Sequence, residues 1–273
     1  MIKALILTGF GINCEEEMAA AYRQVGAEAE IIHINEVLKE KRSIHDFQIL
    51  NFPGGFSFGD DLSSGKVLAN KIKYKKLPSG KVLLDEIITF INDGKLVFGV
   101  CNGFQVLVKL GLLPNIHGDY QQEVTLAANQ SGKYENRWVL CSAHKNNPSP
   151  FIQEIDQLAL PVRHGEGQLI IESGDIRKAI VDQGLNCLTY CDEKGAPVTA
   201  YPANPNGAAL SCAGLTDTTG RVMGMMPHPE AFLSLYNHPN WGQIKRNHPE
   251  HNEEGEGTVF FKNAVDFFKK EMA

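Results

Sequence analysis

Short apolar segments alternate with helical segments over the first hundred residues, and this alternation limits the possible folds more than any other feature. The apolar segments are too short for helices, and they lie at residues 3–7, 30–34, 47–52 and 96–100. Segments of helical composition lie between them, at residues 15–25 and 83–91. Strands that alternate with helices form a parallel sheet with helices on both faces. The sequence therefore predicts an α/β fold with a doubly wound sheet.

The pattern changes after Pro114, where short apolar segments are separated by turn residues. We expect these segments to be antiparallel additions to the sheet, at residues 123–128, 137–142, 168–171 and 187–190. Residues 208–216 and 221–225 are joined by a glycine-containing turn, which predicts a β-hairpin. Residues 237–257 are polar and predict a long surface loop, whereas residues 259–270 predict an amphipathic helix.

The composition excludes several classes of protein. The chain has 273 residues with 26 Lys+Arg and 32 Asp+Glu, and the net charge of −6 disfavours binding to a nucleic-acid backbone. Its six cysteines lack the spacing of a disulfide framework, which indicates a reducing compartment. Gly9 interrupts the apolar start and polar residues interrupt residues 96–113, so we expect no signal peptide and no membrane span. With no repeat or linker, we expect one cytoplasmic domain over residues 1–273.

The strongest local signal is the segment at residues 99–105, Gly-Val-Cys-Asn-Gly-Phe-Gln. It follows a predicted strand and precedes a helical run, which is the context of a nucleophile elbow with cysteine in place of serine. A helix N-terminus favours a thiolate through its dipole and its free N–H groups. The segment therefore predicts that Cys101 is a nucleophile. The alternative is a buried cysteine at the end of a strand.

A cysteine nucleophile needs a base, and residues 225–230, Met-Met-Pro-His-Pro-Glu, supply a candidate pair. The prolines on both sides of His228 favour an extended chain, in which residues two apart point to the same side. We therefore expect the Glu230 carboxylate to reach one ring nitrogen of His228 and to leave the other for Cys101. For this segment alone, the alternative is a proline-rich turn with a solvated histidine.

A third segment, residues 52–61, follows the predicted strand 47–52 and so lies at the same edge of the sheet as Cys101. Its consecutive glycines can turn backbone N–H groups inward. We expect the amides of Gly55 and Asn102 to form an oxyanion hole, in which one donor is worth about 10²–10³ in rate. A plain Pro-Gly turn is the alternative.

Other patterns do not predict a cofactor or metal site. Residues 59–67 resemble a phosphate-binding loop, but the spacing is one residue too long and no Ser or Thr follows Lys66. Cys187 and Cys191 have no second cysteine pair, so we expect no zinc site. Cys141 is in mid-strand with no helix dipole behind it, and we expect it to belong to the core.

Together these segments resemble the class I (triad) glutamine amidotransferases, which implies a flavodoxin-like, doubly wound mixed sheet. The similarity covers most of the chain and is carried by residues 53–60 (Pro-Gly-Gly-Phe-Ser-Phe-Gly-Asp), 99–105, 164–167 (His-Gly-Glu-Gly) and 224–230. The Cys-Asn-Gly-Phe-Gln and Gly-Glu-Gly signatures resemble one branch of this family. That branch contains the glutaminase subunits of phosphoribosylformylglycinamidine synthase, in purine biosynthesis.

The resemblance implies a role for each residue of a catalytic triad. Cys101 would attack the side-chain amide of glutamine and form a glutamyl thioester. His228 would take the thiol proton, pass it to the departing ammonia and then activate water. Glu230 would fix the tautomer of His228.

The same resemblance implies further sites and a partner. The amides of Gly55 and Asn102 would hold the oxyanion, Gln105 would help to bind glutamine, and we expect His164 and Glu166 at a subunit junction. Ammonia would pass to a separate synthetase subunit, which uses ATP and Mg²⁺ to make formylglycinamidine ribonucleotide. A small third subunit completes such an assembly, and this chain itself would hold no cofactor.

Two other functions stay open from the sequence. A cysteine peptidase or gamma-glutamyl hydrolase would also use an elbow cysteine with a histidine, but it would not explain the combination of Asn-Gly-Phe-Gln and Pro-His-Pro-Glu. A non-catalytic binding subunit would normally lack the cysteine or the histidine of the triad, whereas this chain has all three triad residues.

Overall fold

Five adjacent parallel strands form the centre of the structure, a computed structural model that describes residues 1–271. The strands in chain order are β1 (Lys3–Thr8), β2 (Glu28–His33), β3 (Ile49–Phe52), β4 (Leu96–Val100), β5 (Thr125–Ala128), β6 (Glu135–Ala143), β7 (Gln157–His164), β8 (Glu166–Ile170), β9 (Leu188–Tyr190), β10 (Cys212–Thr216) and β11 (Val222–Met225). The parallel strands are adjacent in the order β2-β1-β3-β4-β11. This flavodoxin-like order confirms the predicted doubly wound sheet.

Helices connect the strands, as the alternating pattern predicts. They are α1 (Glu15–Gln24), α2 (Ile34–Leu38), α3 (Lys66–Tyr74), α4 (Leu83–Asn92), α5 (Asn102–Leu110), α6 (Gly174–Asp182), α7 (Trp241–Asn247) and α8 (Thr258–Glu271). The prediction of a loop over residues 237–257 was wrong where α7 forms. The helix is only seven residues long, contains Gly242 and buries no residue, so its sequence carries a weak helical signal.

Between residues 1 and 271, no helix combines the length and the apolar character needed to cross a bilayer.

Antiparallel strands extend the sheet beyond β11 in the order β10-β9-β6-β7. The predicted hairpin is confirmed as β10 and β11, and β6 and β9 are two of the predicted antiparallel additions. The prediction was wrong for β5 and β8, which pair with each other in a separate two-stranded sheet. Buried residues alternate along both strands, and β5 lies against α5, so this small sheet covers the helix with one face.

The two faces of β4 explain how α5 is held. Phe98 stacks on Phe151 with ring centroids 4.8 Å apart, and it meets Phe261 of α8 edge-on at 6.0 Å. Gly99 points to the opposite face, where an added Cβ would lie 2.6 Å from a methyl carbon of Leu107 in α5. The helix therefore packs directly on the backbone of β4, and its N-terminus is held at the end of that strand.

Buried apolar side chains from Ile2 to Phe268 belong to one hydrophobic cluster. Cys141 is a fully buried member of this cluster, and burial raises the pKa of its thiol well above the usual range. The single domain over residues 1–273 stays a prediction, and residues 272 and 273 lie outside the described part of the chain.

Candidate active site

The three predicted segments meet at one edge of the sheet. β4 lies between β3 and β11, and the three strands are parallel, so their carboxyl ends are neighbours. Phe52 pairs with Gly99, and Val100 pairs with Met225. The amide of Cys101 donates to the carbonyl of Met225 at 2.8 Å. Residues that are distant in the sequence therefore lie side by side, as expected for ligand sites of open α/β sheets.

Cys101 lies on the sharp turn between β4 and α5. Its φ of 52° and ψ of −104° are the strained backbone conformation of a nucleophile elbow. The turn requires glycine at position 103, because an added Cβ would lie 1.8 Å from the carbonyl oxygen of Phe52. Cys101 is 6% exposed, and its thiol donates to the carbonyl of Arg163 at 3.6 Å. The structure thus places a nearly buried thiol at the N-terminus of α5.

His228 and Glu230 form a buried pair in the loop after β11. The Nδ1 atom of His228 lies 2.5 Å from the Oε1 atom of Glu230. The prediction of an extended loop was wrong, because Pro229–Ala231 form one turn of 3-10 helix. The fixed φ of proline suits the first position of a helical turn, and the turn still brings the two side chains together. The amide of His228 donates to the carbonyl of Pro161 at 2.8 Å, which attaches the loop to β7.

The surroundings of His228 favour its protonated form. Burial by itself lowers the pKa of the imidazole, but the carboxylate of Glu230, with Cys101 and Cys14, outweighs it and raises the pKa well above the usual range. The Nε2 atom is buried and has no hydrogen-bond partner among residues 1–271. One ring nitrogen is therefore held by a carboxylate, and the other is available for proton transfer.

Gly55 lies in a short antiparallel bridge with Ile12, in the loop after β1. The amides of Asn13 and Phe56 donate the hydrogen bonds of this bridge, at 3.2 and 2.7 Å, and the amide of Gly55 does not take part. Only glycine fits here, because φ is 138° and an added Cβ would lie 2.5 Å from the carbonyl oxygen of Gly11.

Asn102 is the first residue of α5, so its amide has no partner within the helix. Its side-chain Oδ1 accepts from the amide of Ser57 at 3.2 Å, and its Nδ2 donates to Asp60 at 3.3 Å and to Gln105 at 3.0 Å. These bonds link the loop that carries Gly55 to the helix that carries Asn102. An oxyanion hole formed by the amides of Gly55 and Asn102 stays a prediction.

Gln105 and His164 are both held inside the protein. The Nε2 atom of Gln105 donates to the carbonyl of Glu166 at 2.5 Å, and its Oε1 atom accepts from Asn102. The role of Gln105 in binding glutamine stays a prediction, as does the junction role of His164 and Glu166. Burial, with the neighbouring His228, lowers the pKa of His164 to about 3, so this ring is neutral at pH 7.

Sequence reasoning missed Cys14. Because β1 lies beside β3, the loop after β1 reaches the same edge of the sheet and places Cys14 next to His228 and Glu230. Burial raises the pKa of the Cys14 thiol. The glycines at positions 9 and 11, directly after the first strand, are the signal that could have directed attention to this loop.

Residues 1–268 match the family described as the CobB/CobQ-like glutamine amidotransferase domain. A relative from Methanococcus maripaludis, phosphoribosylformylglycinamidine synthase subunit PurQ, is 40% identical over 278 residues, with 98% of each chain covered. A protein of the same name from Dehalococcoides mccartyi is 41% identical over 270 residues, also with 98% of each chain covered.

Solved structures share the fold. A chain of the PurLQS structure from Thermotoga maritima has a TM-score of 0.70 at 24% identity, with 98% of this chain and 99% of that chain covered. A putative GMP synthase protein from Thermoplasma acidophilum has a TM-score of 0.54 at 11% identity, with 100% of this chain and 98% of that chain covered. The chain belongs to the CobB/CobQ-like glutamine amidotransferase family and, within it, to the PurQ family.

Proposed function

We propose that the chain is the glutaminase subunit of a phosphoribosylformylglycinamidine synthase, which releases ammonia from glutamine for a synthetase subunit. The observation that carries this proposal is the placement of Cys101, His228 and Glu230 at the carboxyl ends of the adjacent strands β4 and β11. The 40% identity to a PurQ subunit over 98% of the chain supports the choice of synthase.

Cys101 is the nucleophile of the proposed reaction. His228 takes the thiol proton at Nε2 and becomes an imidazolium beside the Cys101 thiolate, whose sulfur then attacks the side-chain carboxamide carbon of glutamine. The amides of Gly55 and Asn102 donate hydrogen bonds to the oxygen of the tetrahedral intermediate. His228 then gives its proton to the departing nitrogen, so that ammonia leaves and a glutamyl thioester stays on Cys101.

Water completes the cycle. His228 takes a proton from water, the oxygen attacks the thioester carbon, and the thiolate of Cys101 leaves and recovers the proton as glutamate is released. Glu230 accepts a hydrogen bond from Nδ1 and stabilises the imidazolium formed in both half-reactions. Gln105 helps to hold the substrate glutamine.

The synthetase subunit consumes the ammonia. It uses ATP and Mg²⁺ to convert formylglycinamide ribonucleotide to formylglycinamidine ribonucleotide, and no step in this chain needs a cofactor. We include a small third subunit in the assembly. We expect the assembled enzyme to be cytoplasmic. All six cysteines are free thiols, which supports a reducing compartment.

The test compares nitrogen sources in the assembled enzyme. The chain is purified with its synthetase subunit, and formylglycinamidine ribonucleotide is measured with glutamine or with ammonium chloride. We expect ammonium to support synthesis with or without this chain, and glutamine only with it. We expect weak glutaminase turnover from the chain alone, because docking completes the oxyanion hole. A chain that adds no glutamine-dependent synthesis, or that cleaves peptides instead of glutamine, would contradict the proposal.

A further inference from the structure

A thiol that the proposed reaction does not use lies against the catalytic pair. One side-chain atom each of Cys14, His228 and Glu230 lies within 4.8 Å of the other two. Cys14 precedes α1 but makes no capping hydrogen bond to it, and its thiol donates to the Oδ1 atom of Asn13 at 3.4 Å. Helix capping therefore does not explain why a thiol lies at this position.

Two buried atoms of this cluster have no hydrogen-bond partner within residues 1–271. They are the Nε2 atom of His228 and the Oε2 atom of Glu230, on side chains that are 3% and 1% exposed. Buried polar atoms without hydrogen-bond partners are uncommon, and each needs an explanation. Proton transfer from Cys101 explains the free Nε2 atom, but it does not explain the free Oε2 atom.

We propose that Cys14, His228 and Glu230 form an inhibitory binding site for a borderline-soft divalent cation of the Zn²⁺ class. A thiolate, an imidazole and a carboxylate are donors that Zn²⁺ accepts, with water as the fourth ligand, whereas Mg²⁺ prefers oxygen donors. The inference rests on the proposed function, because the cation inhibits by binding the base of the glutaminase reaction.

Shifts of about 1 Å would bring the cluster to the spacing that such an ion needs. Zinc bonds of about 2.3 Å to sulfur and about 2.0–2.2 Å to nitrogen and oxygen place the ligand atoms roughly 3–4 Å apart. The atoms of the cluster already lie within 4.8 Å of one another. The Nδ1 atom of His228 and the Oε1 atom of Glu230, now 2.5 Å apart, would separate slightly.

Cation binding removes the base from the reaction. A neutral imidazole has one free lone pair on its ring nitrogens, and the cation occupies it, so His228 can no longer take the thiol proton of Cys101. Binding requires the Cys14 thiolate and an unprotonated Nδ1 atom on His228, so each of these two groups gives up its proton as the cation enters. Chelation of the cation should restore the activity.

Cobalt(II) tests the site directly, because a thiolate ligand gives a charge-transfer absorption band. The full-length chain is titrated as wild type, Cys14→Ser, Cys101→Ser and Cys191→Ser. Serine is a favoured residue before a helix, so Cys14→Ser should fold. Cys191 is the matched control, since its sulfur lies outside the cluster and accepts from Nε2 of Gln157 at 3.5 Å.

The expected pattern is specific to Cys14. One equivalent of cobalt should give the band in the wild type, Cys101→Ser and Cys191→Ser, and the band should be lost in Cys14→Ser. A band that persists in Cys14→Ser would overturn the proposal. A band that disappears in Cys101→Ser would overturn it too, since the nucleophile would then be the ligand.

Activity of the assembled enzyme supplies the second readout. Zn²⁺ should lower synthesis with glutamine and spare synthesis with ammonium. Relative to its own metal-free activity, Cys14→Ser should need at least about tenfold more Zn²⁺ for half-inhibition than the wild type. Equal Zn²⁺ sensitivity in both proteins would overturn this inference and leave the glutaminase function intact. Failure of glutamine to support synthesis without added metal would instead contradict the proposed function, and the cobalt titration would still decide the metal site.

Discussion

Val100 and Met225 are paired on the adjacent parallel strands β4 and β11, and each is the last residue of its strand. The loops that follow therefore leave the sheet from the same place, one carrying Cys101 and the other carrying His228. Strand order thus supplies the proximity of thiol and imidazole on which the proposed chemistry depends.

Replacing Cys101 with alanine tests the nucleophile. Synthesis with glutamine should fall by at least about 10³-fold because no thioester can form, while synthesis with ammonium chloride should stay near the wild-type rate. Rates with the two nitrogen sources in the assembled enzyme measure the difference. Cys191→Ala, at a buried cysteine outside the site, should keep both activities. Equal loss of both activities in Cys101→Ala would assign Cys101 a structural role.

Replacing Glu230 with glutamine removes the charge beside His228 and preserves the shape. Burial then acts on the imidazole without a compensating carboxylate, so the pKa of His228 should fall. Glutamine hydrolysis should fall by about 10²–10⁴-fold.

NMR titration of labelled histidine and the pH dependence of kcat measure the two effects of Glu230→Gln. Glu250→Gln is the matched control, since Glu250 lies 3.6 Å from His248 in an exposed pair. The titration of His228 should be the same in this control as in the wild type. A His228 titration that is the same in Glu230→Gln as in the wild type would rule out the electrostatic role of Glu230.

Gly54 has no side chain and so leaves the space that the ring of His228 occupies. In Gly54→Ala the new methyl group would lie 2.7 Å from the Cε1 atom of His228, so the ring must move. Displacing a catalytic group by about 1 Å can reduce the rate 10²-fold, and we expect kcat with glutamine to fall more than about tenfold. Gly174→Ala, where an added Cβ meets no atom within 4 Å, should keep its activity. Equal kcat values in the two variants would show that the ring tolerates the methyl group.

His164 makes the folded chain sensitive to acid. Its pKa of about 3 in the folded chain lies below the value of about 6.5 expected in the unfolded chain. Between these pH values the unfolded chain binds a proton that the folded chain does not. The free energy of unfolding therefore decreases as the pH falls from about 6.5 toward 3, by up to about 1.4 kcal/mol per pH unit.

Urea unfolding of the wild type and of His164→Gln at pH 7 and pH 5 measures this contribution. The variant should lose about 2 kcal/mol less free energy of unfolding than the wild type over that interval. His248→Gln, at an exposed ring, is the control and should show the wild-type pH dependence. If the free energy of unfolding of His164→Gln had the same pH dependence as the wild type, His164 would not be buried in its neutral form.

Features with a local signal could be predicted from the sequence. Residues 96–100 were predicted as a strand, and β4 has these bounds. A short apolar run between glycine-containing turns is typical of a buried strand. The sharp turn at Cys101 was predicted from the small residues that an elbow needs. The pairing of His228 with Glu230 was predicted correctly although the loop shape was not, because close spacing along the chain was sufficient.

Features that depend on tertiary packing could not be predicted. Nothing local shows that β5 and β8 pair with each other rather than with the main sheet, because that choice depends on α5 presenting a surface to cover. Cys14 reaches His228 only because β1 lies beside β3. The inward hydrogen bond of Gln105 depends on the placement of Glu166, which belongs to a strand of the separate sheet.

Locating the covalent intermediate tests the central claim, that glutamine becomes bound to Cys101 during turnover. The assembled enzyme is quenched with acid while it turns over glutamine, then digested and analysed by mass spectrometry. We predict a glutamyl adduct on the peptide that contains Cys101, present in Cys14→Ser and absent in Cys101→Ser. An adduct on Cys14, or on any residue other than Cys101, would contradict the proposed mechanism.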